Sequence, residues 1–91
     1  MIAFDVKLHR GVVKSLDRLE PKLRERIKSA LRRLGEDPYG ARADVDVIRL
    51  AGSKGRRDLY RLRVGDYRAI YAIEDKVVYV TDLFHRGKGY S

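Results

Sequence analysis

Cysteine and tryptophan are both absent from the 91-residue sequence. Without cysteine the chain can form neither a disulfide nor a thiolate metal site. The only histidines, His9 and His85, stand too far apart to form a local metal motif, so we expect neither a metal nor another cofactor. No apolar run approaches the roughly 20 residues that span a bilayer, and the N-terminal stretch does not resemble a signal peptide. We therefore expect a cytoplasmic protein.

Acidic residues are outnumbered by basic ones, with 13 Asp and Glu against 21 Lys and Arg, which gives a net charge of +8. A charge of this sign and size favours a polyanionic partner such as nucleic acid or an acidic protein. The length suits one domain, residues 1–91, with a single modest core.

The first third of the chain predicts one strand and two helices. Residues 2–8 alternate between apolar and polar side chains, as in a strand. From Arg10 the spacing becomes helical, and Pro21 suits the first turn of a second helix, which Gly35 would close as a C-cap. The apolar stripe of this second helix consists of Leu23, Ile27, Ala30, Leu31 and Leu34.

The rest of the chain predicts an antiparallel meander. Two β-rich runs within residues 59–74 flank the pair Gly65-Asp66, which is the signal of a tight hairpin. A second turn at Glu74-Asp75 or Asp75-Lys76 leads into a third strand, residues 77–84, and residues 44–50 contain a short alternating segment that leads towards the sheet. The predicted fold class is α+β, in the order strand, helix, helix, three-stranded antiparallel meander, with a helical hairpin packed on one sheet.

Three arginines of the hairpin share one face of the predicted sheet. A two-residue Gly65-Asp66 turn pairs Arg63 directly with Arg68, and the period of two adds Arg61 to the same face. Like charges in opposite positions weaken a hairpin, so an anionic ligand is the simplest reason for the arrangement. The alternative is protection of an outer strand against edge-to-edge pairing, which accounts for Arg61 and Arg63 but not for Arg68.

The second turn extends this patch. Either position of the turn places residue 81 or 83 opposite Arg68 and brings His85 and Arg86 towards the Gly65-Asp66 end. Tyr90 follows closely in the sequence and is a further candidate for the same patch.

The run from Leu59 to Tyr71 resembles the core signature of RelE-type toxins of the RelE/ParE superfamily, and the archaeal members most. The resemblance implies a toxin of a type II toxin–antitoxin system, a ribosome-dependent mRNA endoribonuclease that enters the A site and cleaves mRNA through attack by the 2′-hydroxyl. It also implies an acidic, RelB-like antitoxin that covers the active surface. The family's functional residues map onto Arg61, Arg63, Arg68, Arg86 and Tyr90.

Arginine suits only part of this chemistry. Its planar guanidinium binds phosphate in a bidentate manner and stabilises developing negative charge, but it is a poor proton acceptor. The family often has lysine where this chain has Arg61 and Arg63, so proton transfer must come from another group. We expect Arg63, Arg68 and Arg86 to stabilise the transition state and Arg61 to bind substrate phosphate. The candidates for proton transfer are Tyr90, for which stacking on a base is the other expected role, and, as alternatives, His85 and Lys88.

Other basic residues are candidates for contacts with RNA or the ribosome. The polar face of the second helix contributes Lys22, Arg26 and Arg33, and a loop contributes Lys54, Arg56 and Arg57. A solvated helix face is the ordinary alternative. Tyr60, Tyr67 and Tyr71 fall on the face opposite the arginines and are expected in the core.

Two other functions remain open at this point. A ParE-like protein of the same fold would inhibit DNA gyrase by protein binding, without nuclease chemistry. A non-catalytic RNA-binding module would show salt-sensitive RNA affinity without cleavage.

Overall fold

The computed structural model describes residues 3–40, 46–50 and 59–88, apart from the side chain of Lys88. A five-stranded sheet carries two helices on one face, which confirms the predicted α+β class. In chain order the elements are β1 (Asp5–Leu8), α1 (Arg10–Asp17), α2 (Pro21–Arg33), β2 (Asp46–Arg49), β3 (Leu59–Val64), β4 (Tyr67–Glu74), β5 (Val77–His85) and a 3₁₀ helix (Arg86–Lys88).

The strands lie in the order β1-β5-β4-β3-β2. β3, β4 and β5 form the predicted antiparallel meander. β1 pairs in parallel with β5 at one edge, and β2 pairs antiparallel with β3 at the other. The segment of residues 44–50, which was expected to lead towards the sheet, thus contains one of its strands, β2. The assumption that Arg61 and Arg63 lie on an outer strand is wrong, because β3 has a neighbour on each side.

Both helices begin where the sequence predicts. His9 caps α1, since its Nδ1 accepts a hydrogen bond of 2.9 Å from the backbone N–H of Gly11. Pro21 opens α2, where its missing N–H leaves no hydrogen bond unmade. Val12 and Leu16 of α1 are buried, and the predicted stripe of α2 packs into the same core.

Gly35 has a different role from the one predicted. α2 is capped by Leu34, and Gly35 does not adopt a positive φ. Its carbonyl instead accepts a hydrogen bond of 2.6 Å from the backbone N–H of Phe4. A Cβ at position 35 would lie 2.8 Å from the carbonyl oxygen of Phe4, so glycine permits a close approach between the end of α2 and the segment before β1.

Both hairpin turns have two central residues, as predicted. Gly65 has a φ of +57° and Asp66 does not have a positive φ, which is typical of a II′ turn. The second turn is Asp75-Lys76, with φ of +52° and +62°, the pattern of a I′ turn. Glu74 therefore pairs with Val77, and the alternative turn at Glu74-Asp75 is wrong.

A β-bulge in β5 changes the register between β4 and β5. Ile70 pairs with Asp82 but Tyr71 pairs with Val80, so Thr81 is the extra residue. Arg68 consequently lies opposite Phe84, and the expectation of residue 81 or 83 there is wrong.

The core lies between the helices and the sheet face that they cover. The sheet contributes Leu62, Val64, Ala69, Tyr71, Val78 and Val80, each 9% exposed or less. A fully buried Leu or Val contributes roughly 1.5–3 kcal/mol. This packing fixes the orientation of the strands and therefore sends their remaining side chains to the sheet face opposite α1 and α2.

Candidate functional site

The sheet face opposite α1 and α2, called the open face below, carries the predicted arginines. Arg63 lies directly opposite Arg68, which confirms the predicted pairing, and Arg61 lies opposite Ile70 on the same face. The cross-strand row at the hairpin end of the open face consists of Asp46, Arg63, Arg68 and Phe84. The neighbouring row consists of Ile48, Arg61, Ile70 and Asp82.

Asp46 neutralises part of this positive charge. Its Oδ2 lies 2.5 Å from Nε of Arg63, and its Oδ1 lies 3.8 Å from Nη2 of Arg61. Asp46 was not among the predicted site residues. Its acidic side chain in an alternating segment was a visible signal, but its place beside the arginines depends on the pairing of β2 with β3, which the sequence did not specify.

Arg68 makes a different set of contacts. Its Nη1 donates to the carbonyl oxygens of Gly65 and Tyr67, at 3.1 and 3.2 Å. Both partners belong to its own hairpin and neither carries a charge. Arg68 therefore places a guanidinium on the open face. These two contacts orient the guanidinium but do not neutralise its positive charge.

Arg86 is attached to the hairpin turn. Its backbone N–H donates to the carbonyl of Asp66 at 2.7 Å, and its Nε lies 3.4 Å from Oδ1 of the same residue. Both side chains are more than half exposed, 65% for Arg86 and 62% for Asp66, so the ion pair is worth at most about 1 kcal/mol. The predicted approach of Arg86 to the Gly65-Asp66 end is confirmed.

His85 reaches the same end of the sheet but lies on the other face. It pairs with Tyr67, and the two rings meet edge to face with centroids 5.3 Å apart. Its Nδ1 accepts a hydrogen bond of 3.0 Å from the backbone N–H of Gly87. The bulge at Thr81 shifts the alternation of β5 and so sends His85 to the helix side, away from the arginines. Tyr90 and the side chain of Lys88 lie outside the described residues.

The three hairpin tyrosines lie on the helix side, as predicted. Tyr60 and Tyr67 pack against the core and Tyr71 is fully buried within it. The hydroxyl of Tyr71 donates to the carbonyl of Pro38 at 2.6 Å. Burial raises the pKa of Tyr71 far above its ordinary value, with smaller contributions from Tyr60 and Asp37. Tyr71 is a structural residue rather than a proton donor for the open face.

The basic residues of α2 are divided between two environments. Arg26 and Arg33 line a cleft of about 160 Å³ together with Arg63 and Asp46. Lys22, in the first turn of α2, is exposed and does not line this cleft. The other predicted contacts with RNA or the ribosome, Lys54, Arg56 and Arg57, lie outside the described residues.

The described ranges contain no group of three or more His, Asp or Glu side chains that could hold a metal ion. The helices in the same ranges are too short or too polar to cross a membrane.

The fold agrees with that of the solved relatives that the chain matches. The family model for the ParE toxin of the type II toxin-antitoxin system, parDE, matches residues 6–90. The chain belongs to this toxin family. Its similarities to individual proteins place it among the RelE-type toxins of type II toxin–antitoxin systems.

Two relatives support this assignment, and a third shares the fold. The RelE1 protein of Methanocaldococcus jannaschii is 28% identical over 89 residues, covering 96% of this chain and 94% of its own length. The archaeal RelE–RelB complex from Pyrococcus horikoshii OT3 contains a chain that is 39% identical, with a TM-score of 0.81 and coverage of 97% of this chain and 100% of that one. The isolated E. coli RelE toxin, at 24% identity, a TM-score of 0.68 and coverage of 91% and 84%, shows the shared fold alone.

Proposed function

We propose that this RelE-type toxin inhibits translation as a ribosome-dependent endoribonuclease that cleaves mRNA in the A site. The observation that carries the proposal is the pairing of Arg63 with Arg68 on the open face, with Arg61 on the same face. Like charges in directly opposite positions destabilise a hairpin. A phosphodiester bound across the pair turns this repulsion into favourable binding.

The proposed reaction is an in-line displacement at phosphorus. The 2′-hydroxyl loses its proton, the 2′-oxygen bonds to the adjacent phosphorus, and the bond from phosphorus to the 5′-oxygen breaks. The leaving 5′-oxygen takes up a proton, which leaves a 2′,3′-cyclic phosphate and a 5′-hydroxyl. The chemistry thus needs a proton acceptor, a proton donor and stabilisation of the charge that builds up on the phosphorane oxygens.

The arginines provide the charge stabilisation. Arg63 and Arg68 face each other across β3 and β4, and Arg86 is attached to the turn that joins these strands. Guanidinium groups stay charged throughout and bind phosphate oxygens through paired N–H donors. We assign these three to the transition state and Arg61, one row further from the turn, to a phosphate of the substrate.

Proton transfer is assigned to Tyr90. An isolated tyrosine has a pKa of about 10, and neighbouring guanidinium groups lower such a value by favouring the phenolate. The attachment of Arg86 to the hairpin turn supports this proposal, because it holds a residue only four positions before Tyr90 beside the turn that joins β3 and β4. His85 is a weaker candidate, since it lies on the helix side. Lys88 remains an alternative.

The partners follow from the proposed reaction and from the relatives. The substrate is mRNA on the ribosome, which places the toxin in the cytoplasm. The proposed contacts with RNA or the ribosome are Lys22, Arg26, Arg33, Lys54, Arg56 and Arg57. The Pyrococcus horikoshii match is a RelE–RelB complex, and a Methanococcus jannaschii RelB–RelE complex also matches in fold. A RelB-like, acidic antitoxin that covers the open face is the expected partner of this chain.

Induction of the toxin in cells, followed by primer extension on a translated message, tests this function. The wild-type protein should stop translation and produce new 5′ ends within codons, whereas Arg68→Ala and Arg86→Ala should not. Intact mRNA in arrested cells, together with DNA damage and altered supercoiling, would instead indicate a gyrase inhibitor. RNA binding that is steeply salt-dependent but never followed by cleavage would indicate a non-catalytic module.

A further inference from the structure

A second basic site lies beside the open face, in the cleft between α2 and the hairpin end of β3. Its charged lining comes from Arg26 and Arg33 of α2, Asp46 of β2 and Arg63 of β3. The remaining lining residues are Ala30, Leu62, Val64 and Gly65. The lining thus contains three guanidinium groups and one carboxylate, a formal charge of +2.

The backbone explains why these side chains meet. Arg26 and Arg33 are seven residues apart, which is close to two helical turns, so they lie on the same side of α2. The guanidinium of Arg26 also lies against the hairpin turn, because a Cβ on Gly65 would be 3.2 Å from Nη1 and 3.5 Å from Nη2 of this arginine. Because Gly65 has no side chain, Arg26 can reach the hairpin turn. Arg63 precedes this turn in the chain and Arg68 follows it.

We propose that this cleft binds a phosphate group of the RNA substrate next to the linkage that is cleaved, and that Asp46 occupies the cleft in the free protein. This inference rests on the proposed function. The carboxylate of Asp46 forms the 2.5 Å ion pair with Nε of Arg63 and so satisfies a donor that a phosphate oxygen would take. Asp46 is 38% exposed and Arg63 is 52% exposed, so the pair is accessible to a competing anion.

The choice of RNA over an acidic protein follows from the position of Arg63. This residue lines the cleft and also lies opposite Arg68 on the open face. A phosphodiester chain carries one charge per nucleotide along a continuous backbone. One strand bound across Arg63 and Arg68 can therefore place a neighbouring phosphate between Arg26 and Arg33 without interruption.

Binding of a non-cleavable RNA to the purified toxin tests the proposal. The probe is a short, fluorescein-labelled oligonucleotide with 2′-O-methyl groups, which lacks the attacking hydroxyl, and its affinity is measured by anisotropy over a salt series. Arg26→Gln and Arg33→Gln should each weaken binding by about five- to tenfold, the range of a partly exposed charge-assisted contact. Each should also reduce the slope of log K against log salt by about 0.7.

Arg32→Gln is the matched control for the two arginine variants. It removes the same charge from the same helix, but Arg32 lines a separate cleft with Val6 and Leu8. Its RNA affinity should stay within about twofold of the wild type, as expected for an exposed charge outside the site. If all three variants weaken binding equally, net charge alone governs RNA affinity and the proposal is overturned.

Asp46→Asn tests the role of the internal carboxylate. It should tighten RNA binding by about two- to fivefold, because the phosphate no longer competes with an ion pair. Asp75→Asn, in the turn at the opposite end of β4, makes the same change of charge and should leave affinity almost unchanged. An Asp46→Asn protein that binds RNA no more tightly than Asp75→Asn contradicts the displacement.

Thermal melting of each variant excludes loss of folding as the cause of weaker binding. A second probe, a labelled poly-glutamate peptide, reveals a site for an acidic protein. If Arg26→Gln and Arg33→Gln lose affinity for this peptide but keep wild-type RNA affinity, the cleft serves a protein partner and the proposal fails. Because the RNA cannot be cleaved, these results stand whether or not the toxin proves to be a nuclease.

Discussion

The Arg68→Ala substitution separates the chemistry of the open face from its stability. In the structure the guanidinium of Arg68 contributes two hydrogen bonds from one nitrogen, at 3.1 and 3.2 Å, to carbonyls of its own hairpin. A net hydrogen bond is worth about 0.5–1.5 kcal/mol, and shared, partly exposed bonds lie at the lower end of that range. The substitution also relieves the repulsion with Arg63, which offsets about 0.2–1 kcal/mol of the loss.

The expected change in the free energy of unfolding is therefore within about 1 kcal/mol, which corresponds to a Tm shift of at most about 4–8 °C for a domain of this size. The expected change in catalysis is much larger. Removal of one preorganised donor to a developing oxyanion lowers kcat by about 10²–10³-fold. The cleavage rate should fall by that factor while the protein stays folded.

Single-turnover cleavage of mRNA on programmed ribosomes measures the rate, and differential scanning fluorimetry measures the Tm. Arg32→Ala is the control, since it removes an equal charge from the exposed side of α2. A folded Arg68→Ala protein that cleaves within about tenfold of the wild-type rate would refute the assignment, because a tenfold loss of rate is smaller than the loss expected when a transition-state contact is removed. An equal loss of activity in Arg32→Ala would also refute it.

The remaining predictions concern the core. Tyr71→Phe should lower the free energy of unfolding by about 1–3 kcal/mol in urea titrations, because the buried carbonyl of Pro38 loses its 2.6 Å donor; Tyr79→Phe is the control and should change little. The folded pKa of Tyr71 is raised, so its contribution to stability is complete below the unfolded pKa of about 10 and is lost as the pH rises above it. Urea titrations above that pH should show a steeper decline for the wild type than for Tyr71→Phe, and parallel declines would contradict the burial effect. Gly35→Ala should destabilise the fold by about 1–3 kcal/mol, since its Cβ would lie 2.8 Å from the carbonyl oxygen of Phe4, and an unchanged Tm would show that the backbone adjusts freely.

The parts of the fold that local chemistry determines were predictable from the sequence. The turn at Gly65-Asp66 depends on the positive φ of one glycine, and its position sets the pairing of Arg63 with Arg68. The apolar stripe of α2 likewise follows from helical spacing alone. The turn and the two-residue period of a strand were enough to place three arginines on one face and the hairpin tyrosines on the other.

The features that the sequence did not reveal depend on contacts between distant segments. The bulge at Thr81 adds one residue to β5 directly after its last pair with β1, Leu8 with Val80, and no local sequence pattern indicated it. That one residue moves His85 to the helix side. The role of Asp46 required the pairing of β2 with β3, and the role of Gly35 required the close approach of Phe4.

Primer extension on a purified, stalled ribosome complex with a defined A-site codon tests whether this toxin is a ribosome-dependent nuclease. The wild-type toxin should generate a new 5′ end within that codon, naked mRNA should not be cut, and Arg68→Ala should leave the message intact. An intact message after incubation with folded, wild-type toxin would exclude this activity.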